Sequence, residues 1–431
     1  MMKYSNKMIL AASIAAASSQ VMANGLALNE QSASSAGSAY AGRASTAANA
    51  STLFGNPAGM SRLERAEVSG GLAFIDASTD ISDASGQLAP GLPVSGTNDG
   101  DMVPFSTIPF GYYVSPINDK LHAGIGVYAP FGVESDYENG WQGRYEGVTS
   151  MVQVVTLQPT ISYAFNERVS VGFGPTINHI SGELTSNVPG AAFATINPAY
   201  VGAPDSEVEI EGDDIAYGYN LGVLFGISDR LDWGLTYHSK VNYSLEGDTT
   251  ISGTPAPINT VLDGKYDAEL DITMPESVDT SFSYQATDAL ALYAGATYTR
   301  WSRLEGIEVE NSGINAMFQP SFGTITEELE WENTWSFAVG GAYQLNPSWV
   351  IRAGYAFDES PTNDQHRTVR IPVSDRDIYT LGAGWNVSED LTIDAAYAYI
   401  NEEKGSVTQD TYSADFENSA HGLALQATYR F

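Results

Sequence analysis

Hydrophobic and polar residues alternate with a period of two along much of this chain. Over 391–400, Leu391 and Tyr397 fall on one face of an extended strand and Asp394 falls on the other. The same alternation recurs over 349–358. Such strands are apolar or aromatic on one face and polar or small on the other. They occur both in soluble β-sandwiches and in transmembrane β-barrels, so the alternation alone leaves both classes open.

The lengths of the connections separate these two classes. About 14 strands are expected, over 66–78, 103–115, 120–133, 150–165, 168–183, 212–228, 230–246, 276–287, 289–303, 330–345, 348–358, 377–388, 390–401 and 419–431. Tight turns alternate without exception with seven long connections, over 79–102, 134–149, 184–211, 247–275, 304–329, 359–376 and 402–418. Short periplasmic turns and long extracellular loops are typical of even-stranded outer-membrane barrels. The sequence therefore predicts an all-β fold, a 14-stranded antiparallel transmembrane β-barrel over 66–431, with both termini periplasmic.

The first 23 residues have the features of a secretory signal peptide. Lys3 and Lys7 precede a short apolar run, and small residues ending at Ala23 form a cleavage site. The apolar run is too short to span a bilayer as a helix, which disfavours a membrane anchor. The mature chain is expected to begin at Asn24.

The charge of the chain is strongly acidic. It has 19 Lys and Arg against 52 Asp and Glu, and loss of the two signal lysines changes the net charge from −33 to −35. This disfavours nucleic acid as a partner, because nucleic-acid binding needs a basic surface. Acidic loops could bridge to lipopolysaccharide through divalent cations, or they could form a solvated surface. The sequence leaves both interpretations open.

Catalytic and metal-binding patterns are missing from the sequence. The chain has no cysteine, no G-x-S-x-G elbow, no H-E-x-x-H motif and no P-loop, and its five histidines are scattered. We therefore expect no enzyme activity, no catalytic residues, no cofactor and no metal site. The expected partner is a hydrophobic small molecule.

Residues 24–65 do not follow the strand pattern. They are rich in Ala, Ser, Gly and Thr and end near the tight turn Asn56-Pro57-Ala58-Gly59. A disordered tail is one interpretation of such a composition. The alternative is a plug, because a barrel of this size leaves a lumen and small residues allow close backbone approach.

Three stretches resemble one known family. They are NGLALNEQSASSAGSAYAGRASTAANASTLFGNPAGMSRL, YAPFGVESDYENGWQGRYEG and RAGYAFDESPTNDQHRTVRIPVSDRD. The mature chain is similar to FadL-type outer-membrane long-chain fatty-acid transporters. The resemblance implies a monomeric 14-stranded barrel plugged by an N-terminal hatch over 24–65, in which Asn56, Pro57 and Ala58 form the most specific motif. It also implies uptake of hydrophobic compounds, either long-chain fatty acids or other compounds such as monoaromatic hydrocarbons.

The resemblance also implies a route for the ligand. The route would run from an apolar groove between two extracellular loops to a lumen pocket beside the mature N-terminus. It would then leave through the wall at a kink in the third strand. The expected pocket residues are Asn24, Gly25 and Leu26, and the expected groove residues are Val188, Phe193, Ile196, Tyr200, Ile258 and Val261. Pro130, Phe131 and Gly132 are expected to frame the lateral gate, because proline interrupts strand pairing.

Other interpretations of these residues remain open. The third strand could simply end at Pro130, and the two loops could pack together as a lid without a ligand. Arg352 faces the lumen by alternation and is a candidate contact for a carboxylate. Weaker candidates are Arg144, Arg370 and Arg376, whereas His238 and Asp394 are expected to be structural. At the level of the whole protein, the alternatives to transport are a surface receptor or adhesin with a sealed barrel, and a general porin with an open polar lumen.

Overall fold

The computed structural model describes residues 25–431, so the predicted signal peptide and Asn24 lie outside the described residues. Fourteen antiparallel strands form a closed barrel. Ten wall strands are continuous: β1 Glu67–Ala89, β2 Ser106–Pro116, β3 Leu121–Asp136, β4 Thr149–Asn166, β5 Val169–Val188, β6 Ser206–Ser228, β11 Trp349–Asp358, β12 Arg376–Asn386, β13 Leu391–Glu402 and β14 Tyr412–Arg430. Four are split in two: β7 (Leu231–His238, Val241–Ser252), β8 (Gly264–Met274, Ser277–Gln285), β9 (Leu290–Thr299, Gly306–Ser312) and β10 (Thr324–Glu328, Thr334–Asn346). Each strand pairs with its neighbours, and β1 pairs with β14 to close the wall.

The remaining elements are short. Two strands, Leu92–Pro93 and Gly405–Thr408, extend hairpins at the long-loop end of the barrel. The helices are α1 Ala33–Ala36, α2 Thr52–Gly55 and α3 Gln319–Phe322, with 3₁₀ turns at Pro57–Arg62, Gly190–Phe193, Pro198–Gly202, Ile258–Thr260 and Trp301–Arg303. None of the helices among residues 25–431 is long and apolar enough to cross a bilayer.

The predicted closed 14-stranded barrel is confirmed, but several strands are longer than expected. β1 was expected to end at residue 78 and continues to Ala89. β5 was expected to end at residue 183 and continues to Val188. These extensions carry polar residues on their outer face, so the apolar alternation ends before the hydrogen-bonded pairing of the strands does. The breaks inside β7 to β10 were also not predicted.

The outer face of the wall carries exposed aromatic and aliphatic side chains. Trp349 and Trp385 stack with ring centroids 5.7 Å apart, and Tyr355 packs beside Tyr379 at 5.4 Å. All four side chains are more than a third exposed. A band of exposed apolar and aromatic residues is the surface that a transmembrane barrel presents to lipid.

The N-terminal segment, residues 25–63, packs against inward-facing positions of the wall. A Cβ placed on Gly295 of β9 would lie 2.5 Å from the Ala41 carbonyl oxygen. A Cβ on Gly340 of β10 would lie 2.6 Å from the Ser38 carbonyl oxygen. Backbone therefore meets backbone at these places, which explains why small residues occur both in the segment and on the facing strands.

The Asn56-Pro57-Ala58 turn is the main polar anchor of the segment. The Asn56 side chain is fully buried and accepts a hydrogen bond from the Ala58 backbone N–H at 3.0 Å. Its amide group donates to the backbone carbonyls of Ala44 (2.6 Å) and Val223 (3.0 Å). The Ala58 carbonyl accepts from the Ser162 and Ser170 hydroxyls of β4 and β5. The turn therefore fastens the segment to three wall strands.

Asn56→Leu should loosen the segment without opening the barrel. The substitution leaves two buried carbonyls without their donor and removes the cap of the 3₁₀ turn, at a cost of about 2–4 kcal/mol. Protease should therefore cut residues 25–63 at least 10-fold faster, while the barrel keeps its heat-modifiable migration on gels. Asn56→Ser retains the capping oxygen and should have the smaller effect. Equal protection in all three proteins would contradict this role for Asn56.

Candidate functional site

The third wall strand carries a β-bulge at the predicted proline. Tyr128 pairs with Thr156 of β4, whereas Phe131 pairs with Val154, so two residues of β3 oppose one residue of β4. Because of the extra residue, the alternation of inward-facing and outward-facing side chains along β3 shifts by one position at the bulge. Pro130 lacks a backbone donor, which suits it to this unpaired position. The strand does not end at Pro130 but continues to Asp136.

The other edge of β3 separates from β2 at nearly the same level. Pairing between β2 and β3 stops at Gly111 and Val127, although both strands continue beyond these residues. The N-terminal segment takes this edge instead. The Leu28 N–H donates to the Pro130 carbonyl at 2.9 Å, and the Gly132 N–H donates to the Leu26 carbonyl at 2.8 Å.

Ala27 and Phe131 form an isolated antiparallel bridge at the centre of this contact. Residues Leu26–Leu28 thus act as a short additional strand on β3. The chain's own N-terminal segment occupies the break in the wall ladder.

An apolar cluster extends from this contact into the lumen. It joins Leu26 to buried side chains of β3 to β10 and of the connection 359–375. Its other members are Val133, Val154, Ile180, Ala216, Val241, Tyr243, Leu245, Ile272, Met274, Trp301, Leu304, Leu329, Trp331, Ile371 and Val373. An apolar interior is unusual for a barrel whose lumen faces water.

A cavity opens among the upper strands beside this cluster. Its lining has no aromatic ring and consists mainly of aliphatic residues and glycines: Met151, Val152, Ile180, Gly182, Leu184, Ile210, Glu211, Gly212, Leu245, Gly247, Ala268, Glu269, Leu270, Ile272, Ile307 and Val309. Ile180, Leu245 and Ile272 also belong to the cluster that contains Leu26. We call this space the aliphatic cavity.

Two tryptophans enclose the first described residue. A Cβ on Gly25 would lie 2.7 Å from Trp331 Cζ3 and 3.0 Å from Trp301 Cζ2, and Gly25 has a φ of +62°. The two indoles meet edge to face with centroids 5.0 Å apart, and Phe131 meets Trp301 at 6.1 Å. Sequence reasoning missed both tryptophans. Each lies in a break of a wall strand, where alternation gives no signal.

A second cavity, lined by both polar and apolar side chains, lies below Leu28 and Phe131. Arg43 of the N-terminal segment forms an ion pair there with Asp279 of β8, which His238 of β7 also contacts at 3.3 Å. Sequence reasoning did not single out Arg43. The structural role expected for His238 stays a prediction.

The arginine candidates all have carboxylate partners within the chain. Arg352 Nη1 lies 2.8 Å from Asp394 Oδ1, beside the N-terminal segment and away from the aliphatic cavity. The remaining pairs are Arg144 with Asp205 (2.7 Å), Arg376 with Asp358 (2.8 Å) and Arg370 with Glu327 (3.1 Å). A contact between any of these arginines and a ligand stays a prediction.

The connection 359–375 folds inward rather than outward. Val369 and Val373 are fully buried, and Arg370 donates to the Thr149 carbonyl (2.9 Å) and the Ser150 hydroxyl (2.8 Å) on the opposite wall. The expected extracellular loop therefore spans the lumen above the apolar cluster. Val369, Ile371 and Val373 alternate in the sequence there, a signal that could have predicted this.

The expected groove residues divide between a buried cluster and an exposed rim. Phe193 and Ile258 are buried together, with Val188 and Tyr200 packed against them. The third loop, over 313–323, adds two aromatic side chains that were not predicted, Phe318 and Phe322. Ile196 and Val261 remain about half exposed, as does Val201. An exposed apolar rim over a buried apolar base is the kind of surface that binds hydrophobic ligands.

Glu402 gives the long-loop end a pH dependence. It lies beyond the exposed aromatic band, is 3% exposed, and accepts a hydrogen bond from the Ser374 N–H. Burial raises the pKa of Glu402 to about 7, although the nearby Arg376 and Arg367 oppose the rise.

A raised folded-state pKa means that stability is greatest when the carboxyl is protonated. The contribution is therefore fully present below about pH 4.5 and is lost as the pH rises through about 7. Glu402→Gln should abolish it, so the difference in melting temperature between pH 5 and pH 8 should shrink by the equivalent of about 3 kcal/mol. The exposed Glu403→Gln is the matched control. Identical pH profiles for wild type and Glu402→Gln would contradict the assignment.

The closed barrel, its lipid-facing band and the apolar cluster in its lumen define a membrane β-barrel with an apolar interior. Sequence comparisons identify which barrel family this is. The sequence profile of the family described as "Outer membrane protein transport protein (OMPP1/FadL/TodX)" matches residues 14–431, and the chain belongs to this family. The predicted family and outer-membrane location are thereby confirmed.

Individual relatives agree with this assignment. Outer membrane protein P1 of Haemophilus influenzae is 30% identical, with all of both chains covered. The long-chain fatty acid transport protein of Escherichia coli (strain K12) is 25% identical over 99% of this chain and 98% of its own. A crystal structure of a Pseudomonas aeruginosa FadL homologue superposes with a TM-score of 0.82 at 26% identity, covering 94% and 99% of the two chains. The P. putida toluene transporter TodX shares the fold, with a TM-score of 0.66 at 16% identity over 90% and 95% of the chains.

Proposed function

We propose that this protein takes up long-chain fatty acids across the outer membrane by passive diffusion through a ligand-gated lateral opening. The observation that carries the proposal is the continuous apolar cluster from the lumen to the wall break that Leu26–Leu28 fills. Only the short strand Leu26–Leu28 separates a hydrophobic ligand in that cluster from the outside of the wall. The N-terminal segment over 24–65 would serve as the hatch, with both termini in the periplasm and the barrel acting as a monomer.

The lining of the aliphatic cavity supports an alkyl chain as the ligand. Each buried methylene contributes about 0.8 kcal/mol, so a chain of a dozen or more methylenes binds well in a space without competing polar groups. The lining includes no basic, amide or hydroxyl-bearing side chain that could bind the acid end of the ligand. The alkyl end would therefore enter this cavity first, after capture on the rim formed by Ile196, Val201 and Val261.

The second cavity, below Leu28 and Phe131, favours a lateral exit over a vertical one. A ligand moving straight down from Leu26 would meet the Arg43–Asp279 ion pair and the His238 ring there, besides apolar side chains. Moving sideways at Pro130, it would meet the lipid instead. Gaps in the wall ladder at this level lower the cost of such a passage, because fewer backbone hydrogen bonds have to break.

A growth experiment tests the proposal. A strain that lacks this gene and any second copy should grow poorly on oleate as sole carbon source, and the gene on a plasmid should restore growth. Unimpaired growth of the deletion strain would contradict fatty-acid uptake. If growth on toluene in a toluene-degrading host were the phenotype instead, the protein would be a monoaromatic-hydrocarbon channel. A receptor or adhesin would give neither phenotype.

A further inference from the structure

The indole of Trp331 carries a buried hydrogen-bond donor that has no partner in the described part of the chain. Trp331 lies in the break of β10, between Thr324–Glu328 and Thr334–Asn346, and is 3% exposed. Its Nε1–H has no hydrogen-bond partner among residues 25–431. Buried tryptophan N–H groups normally find an acceptor, and an unpaired buried donor is a cost that calls for an explanation.

This donor lies in an apolar cluster that borders the aliphatic cavity. Trp331 and Leu26 both belong to the cluster, and three of its other members, Ile180, Leu245 and Ile272, line the cavity. Gly25 approaches Cζ3, which is on the six-membered ring and remote from Nε1, so Gly25 covers the ring at the end away from the donor. Water is a poor partner in a space lined by apolar side chains, since it needs several polar neighbours.

We propose that Trp331 Nε1 donates a hydrogen bond to the polar end of the transported molecule, and that this bond determines specificity. The inference rests on the proposed transport function and deepens it. The ligand class is an amphiphile with an alkyl chain for the aliphatic cavity and an acceptor oxygen at one end, such as a carboxylate or an ester carbonyl. A hydrocarbon has no acceptor and gains nothing from this donor. A carboxylate gains most, because hydrogen bonds to charged acceptors are the stronger ones.

Three ligands of equal chain length separate this role from simple packing. The test measures retention of radiolabelled dodecanoate, methyl dodecanoate and dodecane by the purified full-length barrel. Trp331→Phe removes the donor and keeps an aromatic ring. It should lower the retention of the acid about 10-fold, as expected for one lost hydrogen bond. It should lower the retention of the ester less, and retention of the alkane should stay within about twofold of wild type. Trp301→Phe is the matched control, because it removes the same indole volume from the same cluster. It should lower the retention of all three ligands alike.

A spectroscopic readout completes the test. In the ¹⁵N-tryptophan-labelled protein, the resonance assigned to the Trp331 indole by its loss in Trp331→Phe should move downfield with dodecanoate and stay in place with dodecane. Two results would overturn the role of Trp331 alone. One is an equal loss of retention for all three ligands in Trp331→Phe, and the other is an indole resonance that does not shift with dodecanoate. A wild-type barrel that retains none of the three ligands would instead overturn the proposed function, and this inference with it.

Discussion

Uptake of a labelled fatty acid should stop when residues 27 and 131 are joined by a disulfide, and should resume on reduction. The test protein carries Ala27→Cys and Phe131→Cys in a chain that has no other cysteine. The two residues are a bridge pair flanked by the hydrogen bonds from Leu28 to Pro130 and from Gly132 to Leu26. Such a non-hydrogen-bonded antiparallel pair has Cα atoms about 4.5 Å apart, which lies within the range that a disulfide spans.

The expected effect is large because the disulfide fixes the strand that fills the wall break. If Leu26–Leu28 has to leave β3 before a ligand can pass, the oxidised protein should lose more than 90% of uptake, a change of about 1.4 kcal/mol or more in the barrier. The same protein after reduction is its own control, so any effect of losing the Phe131 ring cancels. Equal uptake in the two redox states would contradict gating by the N-terminal strand.

Deletion of Pro130 should reduce uptake about 10-fold or more while the barrel still folds. The deletion removes the extra residue of the β3 bulge and so restores one-to-one pairing with β4. The inward and outward faces of the strand then continue in one register, which favours pairing of β3 with its wall neighbours over pairing with Leu26–Leu28. The measurement is fatty-acid uptake, with heat-modifiable gel migration as the test of folding.

The chain offers a matched control for this deletion. β1 has a register shift between Ser82 and Ser85 in its pairing with β14, and Asp83 there has a φ of +53°. Deletion of Asp83 also removes one residue from a bulge, but at a site remote from Pro130. It should leave uptake close to that of wild type. If both deletions lowered uptake equally, the Pro130 bulge would have no special role in transport.

The sequence predicts the wall strands well, because contact with lipid requires apolar side chains at every second position. Trp349 and Tyr355 alternate with polar or small residues, and both are exposed on the outer face of β11. The alternation disappears where strands rise above the apolar band, so the ends of β1 and β5 were placed too early. Breaks in β7 to β10 have no signature in a period of two, so Trp301 and Trp331 were read as ordinary wall positions.

The interior of the barrel was harder to predict. The small residues of 24–65 are consistent with the backbone contacts that the structure gives them, and Asn56 lies at their main anchor. The connection 359–376 was expected outside, because a long connection does not by itself reveal which way it folds. Carboxylate partners such as Asp394 for Arg352 depend on strand register, which the sequence alone did not determine.

The most direct test of the account is a crystal structure of the protein with bound oleate. Alkyl-chain density is expected in the aliphatic cavity, between Ile180, Leu245 and Ile272. Leu26–Leu28 is expected to have moved away from β3 and to have left the wall open at Pro130. An empty cavity at saturating oleate, with the Leu28–Pro130 and Gly132–Leu26 hydrogen bonds intact, would contradict it.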